Sequence, residues 1–130
     1  LYALSFLGTF CLSLGQLDES ISNYSRVIKL AEETNMLDIK ASSLMGKGKV
    51  LFKKELYNES LLLTQESYEI FLSIGSDDYH LLLHNIASIK MKIGDIRESL
   101  KFFNKCLEYY EKHDMYFNKA SLQVMNYTKN

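Results

Sequence analysis

The chain has 130 residues, 47% hydrophobic, 24% charged and 12% aromatic, with no proline and no tryptophan. This mix excludes a disordered or collagen-like chain, and no segment approaches the roughly 20 uninterrupted apolar residues that a membrane-spanning helix needs. Fifteen Lys and Arg against sixteen Asp and Glu give a net charge of −1, so no global field recruits nucleic acid or an anionic membrane.

In chain order, residues 1–14 come first and carry no charge. They lack the basic start and small-residue cleavage site of a secretory signal and read as a helix. Tyr2, Phe6 and Phe10 leave that helix no solvated side, so a cover is expected, either upstream repeats or a second copy of the chain. The first residue is Leu, and the chain is read as a segment of a larger protein. Second comes a helix over 17–34, then helices over 38–54, 57–73, 79–93 and 95–113. A seventh begins near Asp114. Absence of proline favours long helices throughout.

Three short segments align: Leu17-Asp18-Glu19-Ser20, Tyr57-Asn58-Glu59-Ser60 and Ile96-Arg97-Glu98-Ser99. They sit 40 and 39 residues apart, and apolar residues follow each at +4, +7, +11 and +14, one face of a helix. Thr64 is the exception among those positions. Gly15 and Gly94 precede their anchors by two residues, where a helix end uses a left-handed residue, and Glu55 takes their place in the middle copy. Small residues (Gly8, Gly48 and Ala87 on the first helices, Ser20, Ser60 and Ser99 on the second) let paired helices approach closely. Acidic residues in the first turn of each second helix suit the macrodipole.

With Leu4, Leu7-Gly8, Gly15 and Tyr24 at the matching positions of the first copy, the chain resembles the tetratricopeptide repeat. Cys11, Ser20 and Val27 depart conservatively from that pattern. Glu32, Leu72 and Glu111 replace its proline, and the copies are longer than usual, as in variants found in bacterial regulatory proteins. The resemblance implies an all-α, right-handed superhelical solenoid of antiparallel helix pairs. Its repeats would span 1–40, 41–79 and 80–118, with a partial fourth at 119–130.

The resemblance also implies that the first helices line a concave groove. Carried over by the offsets, its partner-contacting residues include Thr9, Leu12, Lys49, Phe52, Lys53, His84, Ser88, Met91 and Lys92. Leu12, Phe52 and Met91 form an apolar strip, and Lys49, Lys53 and Lys92 a basic one. Stretches 38–54 and 79–93 hold seven lysines (40, 47, 49, 53, 54, 90 and 92) against Asp38 alone, whereas 57–73 holds three glutamates and no base. The expected partner is a protein or peptide that is acidic or ends in a free carboxylate. Ser5 and Thr9 stand where a chaperone-binding carboxylate clamp needs Lys and Asn, so that role is not supported. The alternative is a sensory segment of a larger bacterial signalling protein: a histidine kinase, a cyclic-dinucleotide synthase or a peptide-responsive transcription regulator.

Other constellations carry less. Only Arg26 and Arg97 offer bidentate contacts to phosphate or bases, so nucleic acid is not an expected partner. Cys11 and Cys106 form no ligand spacing and read as reduced, packed thiols of a cytoplasmic protein. His80 and His84, at i and i+4, lack a clear third metal ligand. Three Asn-X-Ser/Thr sequons, at Asn23, Asn58 and Asn126, are expected by chance in so Asn- and Ser-rich a chain. No phosphate loop, nucleophile elbow or Cys/His pair points to catalysis, and no cofactor is expected.

Overall fold

The computed structural model describes residues 7, 9 and 15–113, and the expected segment from Asp114 onward lies outside them. Five α-helices occur among the described residues: α1 (Leu17–Glu33), α2 (Leu37–Lys53), α3 (Tyr57–Ser73), α4 (His80–Ile93) and α5 (Ile96–Lys112). A 3-10 turn at Asp77–Tyr79 leads into α4. The helix expected over 1–14 is described only at Leu7 and Thr9, both helical and exposed. The remaining helix ends fall within one residue of the expected ones, and no proline interrupts any of these helices.

One turn design joins all these helices. Gly15, Asn35, Glu55, Gly75 and Gly94 all have positive φ, and one further residue follows each before the next helical stretch begins. In four of the turns that residue donates its N–H to the carbonyl five back: Met36 to Ala31, Leu56 to Leu51 and Ser76 to Phe71, each at 2.9 Å, and Asp95 to Lys90 at 2.9 Å. This closure satisfies a carbonyl the ending helix would orphan and reverses the chain tightly. Asn35 and Gly75, in the turns between copies, thus do the work that the sequence pattern assigned only to the turns within them. The 39-residue spacing has a local cause. A 3-10 turn rises about 2.0 Å per residue against 1.5 Å in an α-helix, so Asp77–Tyr79 cover the height of four α-helical residues.

Each helix packs on its neighbours in sequence, α2 on α1 and α3, α4 on α3 and α5. Buried clusters fill the successive seams. Val27, Ala31 and Ile39 lie between α1 and α2, Ala41, Phe71, Leu82 and Ile86 join α2, α3 and α4, and Leu83, Cys106 and Tyr109 join α4 and α5. Ser20, Ser60 and Ser99 are fully buried, as their small size demands. Ser60 Oγ donates to the Gly48 carbonyl at 2.7 Å and Ser99 Oγ to the Ala87 carbonyl at 2.8 Å, the same bond in two successive pairs. Across the first seam, a Cβ on Gly46 would stand 2.5 Å from the Tyr24 ring, so only glycine admits that ring. No helix among the described residues is long and apolar enough to cross a membrane.

Candidate functional site

A cleft of about 260 Å³ opens between α2 and α4, floored by α3. Lys49, Phe52 and Lys53 form one wall, and His84, Asn85, Ser88 and Ile89 the other. Gly48, Ser60 and Thr64 close the floor. The floor hydroxyls are already committed, Ser60 to the Gly48 carbonyl and Thr64 Oγ1 to the Ser60 carbonyl at 2.7 Å. Two aromatic contacts fix the walls: Phe52 meets Tyr57 edge-on at 5.3 Å, and His84 meets Phe103 edge-on at 5.7 Å.

Five of the residues expected to line a groove therefore come together here: Lys49, Phe52, Lys53, His84 and Ser88. Met91 and Lys92 are exposed in the last turn of α4 but do not line the cleft. Thr9 is engaged elsewhere, its hydroxyl 2.8 Å from that of Tyr24. Leu12 lies outside the described residues. The cleft also holds residues that the pattern did not assign to it, Gly48, Ser60, Thr64, Asn85 and Ile89. Thr64 was the sequence clue, as the one polar residue in the apolar series. A Cβ on Gly48 would stand 2.6 Å from its Oγ1, so glycine and threonine fit as a pair.

The expected partition of seven lysines needs correction. Lys40 bridges Glu32 of α1 at 3.3 Å and Glu66 of α3 at 3.4 Å. Burial alone would lower its pKa, but hydrogen bonds and charge attraction from the two carboxylates outweigh this and raise it. Lys54 pairs with Asp18 at 2.7 Å, and the Lys90 ammonium sits 5.9 Å from the centre of the Phe102 ring. Lys47 lines a different cleft, with Glu59 and Leu62. Lys92 does not line the cleft, so Lys49 and Lys53, without ion-pair partners among the described residues, supply the positive charge of the groove.

His80 and His84 do not act as a pair. His80 stacks on Tyr109 at 4.4 Å with its Nδ1 2.9 Å from the Asp77 carbonyl, while His84 faces the cleft. His113 stacks on the other side of Tyr109 at 4.0 Å. The Tyr109 hydroxyl donates to the Asp77 carboxylate. That bond, with burial and the nearby negative charge, pushes the Tyr109 pKa up to about 12. This cluster ties the 3-10 turn to the end of α5.

The profile of the tetratricopeptide repeat matches residues 1–34 and 81–113, together just over half of the chain. The chain belongs to the tetratricopeptide repeat family. Its fold is the right-handed solenoid of that family, as solved structures show. One is a Podosopora anserina protein described as a kinesin light chain with nearly identical tetratricopeptide-like repeats, which superposes with a TM-score of 0.76 at 14% identity over 87% of this chain and 56% of that one. Another is the apo form of RapI, with a TM-score of 0.77 at 14% identity over 91% of this chain and 48% of that one. The chain thus spans about half the length of these structures. A search of curated proteins finds no match. The tetratricopeptide repeat is typically a non-catalytic scaffold, and the array is accordingly a protein-interaction module.

Proposed function

We propose that the array binds a protein or peptide segment in the concave cleft between α2 and α4, selecting one that is acidic or ends in a free carboxylate. The observation that carries this reading is the cleft itself. Lys49 and Lys53, without ion-pair partners among the described residues, stand beside Phe52 on one wall, Ile89 faces them from the other, and the floor hydroxyls of Ser60 and Thr64 are internally satisfied. Charge steers the segment, and desolvated apolar contact holds it. At about 260 Å³ the cleft falls below the roughly 300–1,000 Å³ of sites that engulf a small molecule, which supports one anchoring side chain of a longer segment. The test is partner capture by the full chain and by the double variant Lys49→Glu, Lys53→Glu. Capture should be lost while the helical circular dichroism persists, and retained capture would remove the basic groove from the account.

A second reading makes the array a sensory segment of a larger signalling protein. It is supported by the sparse direct contact between α2 and α4, which are joined mainly through α3. A ligand that binds one cleft width better than another shifts the curvature of the stack. The division into repeats at 1–40, 41–79 and 80–118 with a partial fourth belongs to this proposal, and the flanking gene sequence tests it.

A further inference from the structure

The three aligned copies serve as internal controls for one another, and the middle copy departs from its neighbours in one place. Where the first and third have Gly15 and Gly94, it has Glu55, held at φ +64. Where they have Gln16 and Asp95, it has Leu56, 41% exposed and giving no side-chain cap to α3. Gln16 gives none to α1 either, whereas Asp95 caps α5 by accepting from the Glu98 N–H. Where they have the exposed Ser22 and Lys101, it has Leu62, 69% exposed. Each change works against the isolated fold, through a left-handed non-glycine residue, an exposed leucine in place of the cap that the third copy has, and a leucine in water. Local stability therefore explains none of them.

All three lie on the same edge of the array. Two adjoining clefts, of about 430 and 400 Å³, share Leu56 and Glu59; the first also holds Lys47 and Leu62, the second Glu55 and Ile93. Lys47 is a fourth departure, since its counterparts are Leu7 and the buried Ile86. Lys47 and Glu59 line the same cleft without closing on each other, and neither they nor Glu55 have an ion-pair partner among the described residues.

We infer that this edge is a dimer interface whose occupant is a second copy of the chain. An apolar band carrying one free cation and free carboxylates is complementary to itself. Under a two-fold axis Lys47 of each copy meets Glu59 of the other, the reciprocal pairing an isologous interface requires. Leu56, Leu62 and Ile93 supply the dry centre between those pairs. A stable dimer covers about 800 Å² per partner, so both clefts take part rather than either alone. The inference does not depend on the concave cleft.

Sedimentation equilibrium of the full chain over a range of concentrations tests it. The expected result is a monomer–dimer equilibrium that Leu62→Ser and Leu56→Asp, the residues of the first and third copies, each weaken by roughly ten- to a hundredfold. The Leu56→Asp monomer should melt no lower than the unaltered chain, because it regains a cap. Lys47→Glu and Glu59→Lys should each weaken the dimer, and mixing the two variants in equal amounts should restore it. A chain that stays monomeric at every concentration, a dimer indifferent to both leucine substitutions, or a mixture that fails to reassociate would each overturn the proposal.

Discussion

Gly48 and Thr64 face each other so closely that the hydrogen of one occupies the place a methyl would take, 2.6 Å from the other's hydroxyl oxygen. Thr64 cannot yield, since it is buried and donates to the Ser60 carbonyl. Gly48→Ala should therefore cost about 1–3 kcal/mol through overpacking, despite the better helix propensity of alanine. Adding Thr64→Ala removes the opposing oxygen and should recover a substantial part of that loss. Urea unfolding of both single variants and the double variant checks this, and strictly additive losses would argue against the contact.

The left-handed turn residues give a prediction of opposite sign at two equivalent positions. Glu55 lies at φ +64 and Gly94 at φ +99, and nothing stands within 4 Å of a Cβ added at Gly94. Space is therefore not the issue, and backbone strain decides. A left-handed L-residue costs roughly 1–2 kcal/mol, offset in part by the greater freedom that glycine gives the unfolded chain. Glu55→Gly should stabilise by about 0.5–1 kcal/mol and Gly94→Ala should destabilise by a similar amount, both read from thermal or urea unfolding.

Helix placement was legible because the seams repeat. The buried Ser20, Ser60 and Ser99 recur at spacings of 40 and 39 residues, and that regularity alone locates the hairpins. The groove was legible where register alone sets it, so that Lys49, Phe52, Lys53, His84 and Ser88 meet as the offsets imply. It was misread where another helix intervenes. Lys40 and Lys54 share the composition of a basic face, yet Glu32, Glu66 and Asp18 reach them from α1 and α3. Periodicity along one helix says which face a lysine occupies, not which carboxylate a neighbouring helix brings to it. Asn35 and Gly75 were missed for a related reason. Aligning copies at a 40-residue offset compares like turns, whereas the shared design of the turns within and between copies recurs about every 20.

Cys106 is fully enclosed between α4 and α5, and burial pushes its thiol pKa up. A protonated thiol without solvent access is a poor nucleophile. With Cys11 replaced by serine, a thiol reagent at neutral pH should modify Cys106 only as fast as the α4–α5 hairpin opens. Labelling should therefore accelerate in step with denaturant, and rapid labelling of the native chain would contradict the packing of this seam.

The Tyr109 hydroxyl, donated to Asp77 while its ring is stacked between His80 and His113, sets an alkaline limit on the third helix pair. Its pKa rises from the ordinary 10 to about 12 in the folded chain. The folded state thus holds this proton more tightly than the unfolded one, so the contribution is fully present below pH 10 and is lost as pH rises from 10 towards 12. Lys40, whose pKa is also raised, acts with the same sign in the alkaline range. Tyr109→Phe removes the titrating hydroxyl and leaves the ring stack in place. The variant should be less stable than the unaltered chain at pH 7, because the Asp77 carboxylate loses its donor, and the gap should narrow steadily above pH 10. Unfolding midpoints of both chains measured between pH 7 and 11.5 read this directly, and parallel curves across that range would detach Tyr109 from the alkaline transition.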